Sequence, residues 1–445
     1  MLSATPARAH GVGGRTDLPL PLWLFTYGAA AAVIASFVAL RFLWPRPRLN
    51  DAAAGRVSVS VPAWLRAATL IVGRALGLAS FVLVFIAAWW GSDDPSENLA
   101  PVALYVIFWV GFQLAAALFG DLWVLVNPFD TVVAAAQSIR RWVGGGGGES
   151  TGQTERRNPA QWSAALLLLS FIWLELAYHD SASPRAVAVW LAAYFAAVLA
   201  GAAWWGREWL RYGEGFGALF DALGHLSPLS VADGRMRVRA PFSGLAAYRA
   251  RMGSGALIVI VLGSTGFDGL ARTEFWATVV RARTGWNLTL VSTVGLLFVI
   301  LLMGVVYLGA MRVMAATVDG DLDDLAATFL ASLIPIVLAY SLAHYFSLLI
   351  FEGQSAYALI SDPLGLGWNV FGSVGHQIKF TVVSVNAIAY VQVGAIVVGH
   401  IVGVTAAHDR SVELFPRSLA EASQYPLLAV MVLYTVGGLA VLLGG

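Results

Sequence analysis

The sequence predicts an all-α integral membrane protein: about ten transmembrane helices in a bundle, with short interfacial helices in the cytoplasmic loops. Three observations carry that reading. Charged residues make up only 12% of the 445, where a soluble chain carries about 25%. Hydrophobic residues make up 58%, with 17 Trp and 23 Phe. The apolar residues also fall in runs of about 20, the length a helix needs to cross a bilayer.

Ten such runs are read, at approximately 22–44, 67–90, 101–119, 161–179, 186–206, 254–272, 287–311, 325–351, 381–406 and 425–443. Together they make residues 1–445 one polytopic domain. The second run is interrupted by Arg74 in "TLIVGRALG". Counting Arg41 and Arg272, at span ends, with the connections they adjoin, odd-numbered connections carry 19 of the 26 arginines. The termini and even-numbered connections carry 6 and the lone lysine, Lys379, and Arg74 lies inside a span. Positive charge collects on the cytoplasmic side. The expected placement is therefore the inner membrane, with both termini outside.

Two cytoplasmic connections are long. In "FDTVVAAAQSIRRWV", Val132, Val133, Ala136, Ile139 and Val143 share one helical side, and Asp130 or Thr131 can cap the helix. Asp121 and the Asn127-Pro128 break precede it. Residues 144–158 are Gly-rich and polar and read as a flexible linker. The long basic loop at 207–253 opens with Trp209, Phe216, Phe220 and Leu223 on one face. Both loops read as holding a short helix in the membrane interface. "RMRVRAPF" (Arg235–Phe242) alternates, as a short strand or a basic membrane-surface segment would.

Composition also excludes functions. With no cysteine, there is no disulfide, iron–sulfur cluster or thiolate nucleophile. Lys379 reads as interfacial, which argues against a Schiff-base retinal protein. P-loop, HExxH and GxSxG signatures are absent. A net charge of +1 suggests no nucleic-acid partner; the lipid bilayer is the evident one, beside a small-molecule substrate.

Ionisable groups inside a membrane cost about 2.5–3.5 kcal/mol at a helix centre and so call for a function. In the eighth span Tyr340, Ser341, His344 and Ser347 form a polar stripe above Pro335, which should bend the helix. Glu352 is eight residues past His344, about 12 Å along the axis and roughly 80° around it. One straight helix thus cannot bring both to one metal ion. Glu352 is expected at the outer interface, near Tyr345. Glu175 and His179 end the fourth span, Asp268 ends the sixth, His376 precedes the ninth, and His10, Asp17 and Asp362 are also outside. The reading is an outward-facing metal or substrate site built from His344 with Asp268, Glu175 and Glu352. Such ligands suit zinc or another divalent ion, which can activate water. The bland alternative is that Glu175, His179 and Glu352 snorkel at the interface.

The ninth span carries Gln392 and His400, with Gly399 and Gly403 as a close-packing GxxxG pair. His400 and His408 do not share a face, and His400 and His344 differ in depth, so proton relay or structural hydrogen bonding is favoured over haem ligation. Tyr340, Ser341, Gln392 and His400 are the candidates for a polar path.

Three stretches, "AHGVGGRTDLPLPLWLFTYGAAAAVIASFVAL" (Ala9–Leu40), "LVNPFDT" and "GAIVVGHIVGVTAAHDR", together resemble bacterial polytopic membrane proteins described as fenitrothion hydrolase-like. The resemblance implies cleavage of an organophosphate ester by a membrane-bound protein, without catalytic residues to carry over. Cleavage at "ARAHG" would expose His10, whose amino group and imidazole could bind copper. Three functions follow: a metal-dependent hydrolase, a transporter or permease, and a subunit of a membrane complex. The residues alone rank the first two level, and the resemblance puts the hydrolase ahead.

Overall fold

Chain breakers set many of the helix ends. The computed structural model describes residues 21–55, 57–143, 161–232 and 234–444. His10, Asp17 and the expected linker at 144–158 lie outside them. Pro21 and Pro62 stand just before α1 (Leu22–Leu43) and α2 (Ala63–Trp90), where a missing N–H costs little. Asn98 caps α3 (Leu99–Phe119), accepting from the Ala100 N–H at 2.9 Å. The middle of α3, Ala103–Gly111, is a π-helix. Next come α4 (Pro128–Val143), α5 (Trp162–Leu176), α6 (Pro184–Trp205) and α7 (Gly215–Gly224). The second half holds α8 (Ser254–Ala271), α9 (Gly285–Val318), α10 (Leu322–Phe329), α11 (Ile334–Leu359), α12 (Val385–Leu414) and α13 (Tyr425–Gly444). A 3-10 turn, Leu330–Leu333, separates α10 from α11, and Pro335 follows it in the first turn of α11. The span is thus interrupted just before the proline that was expected to bend it.

Nine helices among the described residues are long and apolar enough to cross a membrane. The fourth expected span is the exception: α5 has 15 residues, about 22 Å at 1.5 Å rise, short of a hydrocarbon core near 30 Å. Its neighbour α7 explains the shortfall. The stretch around Phe216 does not lie in the interface as its amphipathic reading suggested. It packs among α3, α5 and α11, and Phe216, Leu219, Phe220 and Leu223 are all buried. Phe216 and Phe108 lie 4.7 Å apart, ring to ring. A buried α7 supplies the apolar partner that lipid would otherwise give to part of α5.

Glu214 makes that insertion affordable. Its side chain accepts from the N–H groups of Phe216 (2.9 Å) and Gly217 (2.7 Å) at the head of α7. It also takes the Trp123 indole N–H at 3.0 Å and the Tyr194 hydroxyl. Four donors satisfy one buried carboxylate, and the helix N-terminus favours its charge.

Two further expectations change. The helix α4 is capped by Asn127, which accepts from Phe129 and Asp130 N–H, not by Asp130 or Thr131. Asp130 instead bridges Arg74 (2.8 Å) and Arg207, which gives the arginine inside the second span its counter-ion. The chain is also not purely helical. β1 (Val57–Ser60), β2 (Leu229–Ala232) and β3 (Arg235–Val238) form an antiparallel sheet in the order β1-β3-β2, so "RMRV" is a strand.

The centre of the bundle is α11, packed on α12, α8 and α3; α12 packs in turn on α1 and α13. Gly399 and Gly403 bring α12 against α11. A Cβ at Gly403 would lie 2.7 Å from the Ser332 carbonyl oxygen, and one at Gly399 would lie 2.9 Å from that of Pro335. Gly403→Ala should therefore cost about 1–3 kcal/mol through overpacking. Thermal unfolding in detergent should show a lowered midpoint, and an unchanged midpoint would contradict this packing.

Candidate functional site

Asp268 and Arg272 stand one helical turn apart at the outer end of α8, where inner and outer follow the arginine-based orientation. Their side chains meet at 2.9 Å. Across the helix interface, His344 of α11 places Nδ1 3.2 Å from Asp268 Oδ2. Gly269 allows this approach, since a Cβ there would lie 3.3 Å from the imidazole. The His344 side chain is 2% exposed and Asp268 8%, while Arg272 is 31% exposed. The result is a buried carboxylate–imidazole pair whose carboxylate is tied to an arginine at the surface.

Glu175, at the end of α5, approaches the same pair. Asp268 and Arg272 lie within its electrostatic reach, and the Tyr345 hydroxyl hydrogen-bonds to it. Its Oε2 is enclosed and has no hydrogen-bond partner. Tyr345 also meets the Trp109 indole from the π-helical part of α3. On the α12 side, the Gln392 amide donates to the Ala343 carbonyl at 2.8 Å. Five helices, α3, α5, α8, α11 and α12, thus converge on one locus.

Polar side chains continue inward from it. The Tyr340 ring stacks on His344 at 6.4 Å and meets His400 edge-on at 5.8 Å. Its hydroxyl donates to the Tyr434 carbonyl at 2.6 Å. His400 Nδ1 bonds the Ile396 carbonyl at 2.8 Å, while its Nε2 is buried without a partner. Ser341 Oγ is likewise buried and unpartnered. Further in, a cavity of about 170 Å³ lies between α10, α12 and the 243–250 segment. Ser332, Ala407, Asp409 and Arg410 are among its lining residues. Asp409 is held there by the Trp44 indole and the Arg48 N–H, each at 2.7 Å.

The expected site residues therefore divide. His344, Asp268 and Glu175 converge, whereas Glu352 does not join them: it accepts from Ser355 at 3.3 Å on its own helix. Tyr345, expected near Glu352, serves Glu175 instead: it shares a side of α11 with Glu352 but stands about 10.5 Å away along the axis. His179 bonds the Thr289 hydroxyl at 2.9 Å. Arg272 was not singled out in the sequence, although its i,i+4 spacing from Asp268 is a usable signal. Among the described residues, no three His, Asp or Glu side chains gather with metal-ligating geometry.

Compared with protein-family profiles, curated proteins and solved structures, the chain matches none. Its function has to be argued from its own residues.

Another carboxylate, half-buried, sits in the turn beyond the end of α3. Asp121 Oδ1 has no hydrogen-bond partner. Burial, reinforced by Asp221, pushes its carboxyl up from 3.8 to about 7, against the pull of Arg211. An unfolded chain releases this proton near 3.8, whereas the folded chain holds it to about 7. The stability this contributes is present below the lower value and is lost as pH rises toward the upper one. Relative to Asp121→Asn, the wild type should lose thermal stability as pH rises between those values and run parallel above them. Parallel curves throughout would contradict this.

Proposed function

We propose that the protein is a proton-conducting or proton-coupled transporter in which Asp268 and His344 form the proton-accepting site. The observation that carries this reading is their hydrogen bond between two central helices, where α8 and α11 are each about two-thirds buried. An ionisable pair in a membrane is expensive, and such pairs mark ion pathways and proton relays. Arg272 links the pair to the outer surface. Glu175, with a vacant Oε2, stands beside it as a second carboxylate. Inward, Tyr340 and His400 supply hydroxyl and imidazole groups toward the cavity at Asp409. The vacant His400 Nε2 is open to a proton or a water.

Transport gives these groups one role: to take a proton at the outer locus and pass it along α11 and α12. The hydrolytic reading has one observation in its favour, the carboxylate-oriented imidazole, which is how a general base is held in acyl and phosphoryl chemistry.

Proteoliposomes loaded with a pH-sensitive dye separate the two. Wild-type protein should dissipate an imposed pH gradient, Asp268→Asn and His344→Gln should slow the rate at least about tenfold, and Glu352→Gln should match wild type. Flux indifferent to both substitutions would overturn the transport reading. Organophosphate ester cleavage that is lost in His344→Gln, without proton flux, would replace it with the hydrolytic one.

A further inference from the structure

The three-stranded sheet has one apolar face, and that face is bare. Register places Val59, Met236 and Val231 side by side across all three strands, with Leu229 opposite Val238 one pleat away. Side chains alternate along a strand, so these residues share a face. Ser58, Ser60, Ser230, Arg235 and Arg237 occupy the other. Val59 is 52% exposed, Val231 69%, Met236 37% and Val238 42%. A contiguous exposed apolar patch marks a contact surface.

The attachment of the sheet indicates what covers it. Only Val61 and Pro62 separate β1 from α2, and Val61 N–H still bonds the Gly234 carbonyl at 3.0 Å. Sheet and helix are thus joined without slack. Of the long apolar helices, α2 is the least enclosed, with 6% of its apolar window buried. Its first residues include Trp64, 71% exposed, and indole rings favour the membrane–water boundary. On the other side, Ser227, two residues before β2, donates its hydroxyl to the Leu118 carbonyl at 3.0 Å. Leu118 is itself 57% exposed at the inner end of α3.

We propose that this sheet is a lipid-binding element. Its Val59–Met236–Val231 face lies in the leaflet at the N-terminal end of α2, at the boundary of headgroups and acyl chains, continuous with the lipid-facing side of that helix. The serine and arginine face turns to water and phosphate. The partner is phospholipid, and the sheet does in the plane of the membrane what an amphipathic helix does.

The absence of cysteine makes the test clean. Val59→Cys, Val231→Cys, Ser60→Cys and Ser230→Cys are each labelled with a nitroxide and reconstituted in phospholipid vesicles. Collisions with oxygen, which partitions into lipid, are compared with those of a water-soluble nickel chelate. The oxygen-to-nickel ratio should be several-fold higher at positions 59 and 231 than at 60 and 230, and should persist at high lipid dilution. Equal ratios on the two faces would overturn the proposal, whether the apolar face is bare or awaits a soluble partner. Protection at 59 and 231 that disappears on lipid dilution would also overturn it, in favour of a second copy of the chain.

Discussion

The close approach of α11 and α12 sets the depth at which the polar groups meet. Gly399 and Gly403 lie against the carbonyls of Pro335 and Ser332, so the two antiparallel helices cannot slide without collision. That contact fixes Gln392 beside Ala343 and His400 beside Tyr340. It leaves the opposite side of α11 free to meet α8, where His344 finds Asp268. In hydrocarbon, apolar surfaces gain little from one another, and small residues that let backbones touch take over as the organising force.

A second constraint is that buried polar groups need partners. Glu214 meets it with four donors and Asp130 with two arginines. Every oxygen of these two carboxylates has a donor, and carboxylates satisfied in this way hold structure. Glu175 at the outer locus and His400 further in differ. Glu175 Oε2 and His400 Nε2 are buried with an acceptor or donor position left open. Groups that cost this much and remain incomplete are where a chain exchanges protons or binds something small.

Much of this was legible in the sequence. Among the described residues, nine helices long and apolar enough to cross a membrane stand near their expected places, because hydropathy over 20 residues is a strong signal. His344, Asp268 and Glu175 could be grouped because their depths follow from counting residues along each span. Partner choice was less accessible. Glu352 and Tyr345 were expected together, but seven residues of α11, about 10.5 Å, separate them, and each finds its own partner. The burial of α7 was hidden because an amphipathic stripe looks alike whether it faces lipid or a gap between helices. Only the fully small and apolar remainder of "GFGALFDALG", with Asp221 as its one ionisable group, hinted at burial on all sides. The sheet was half visible: "RMRV" alternates, but nothing local ties it to Val57–Ser60, which lies far away in the sequence.

The central claim is that Asp268 and His344 act as one unit, and a double-mutant cycle tests it most directly. Proton flux is measured for Asp268→Asn, His344→Gln and the double variant at matched protein density. If the pair shares one proton-accepting function, the double variant is no slower than the slower single variant. If the two losses multiply instead, the residues act independently and the account is contradicted.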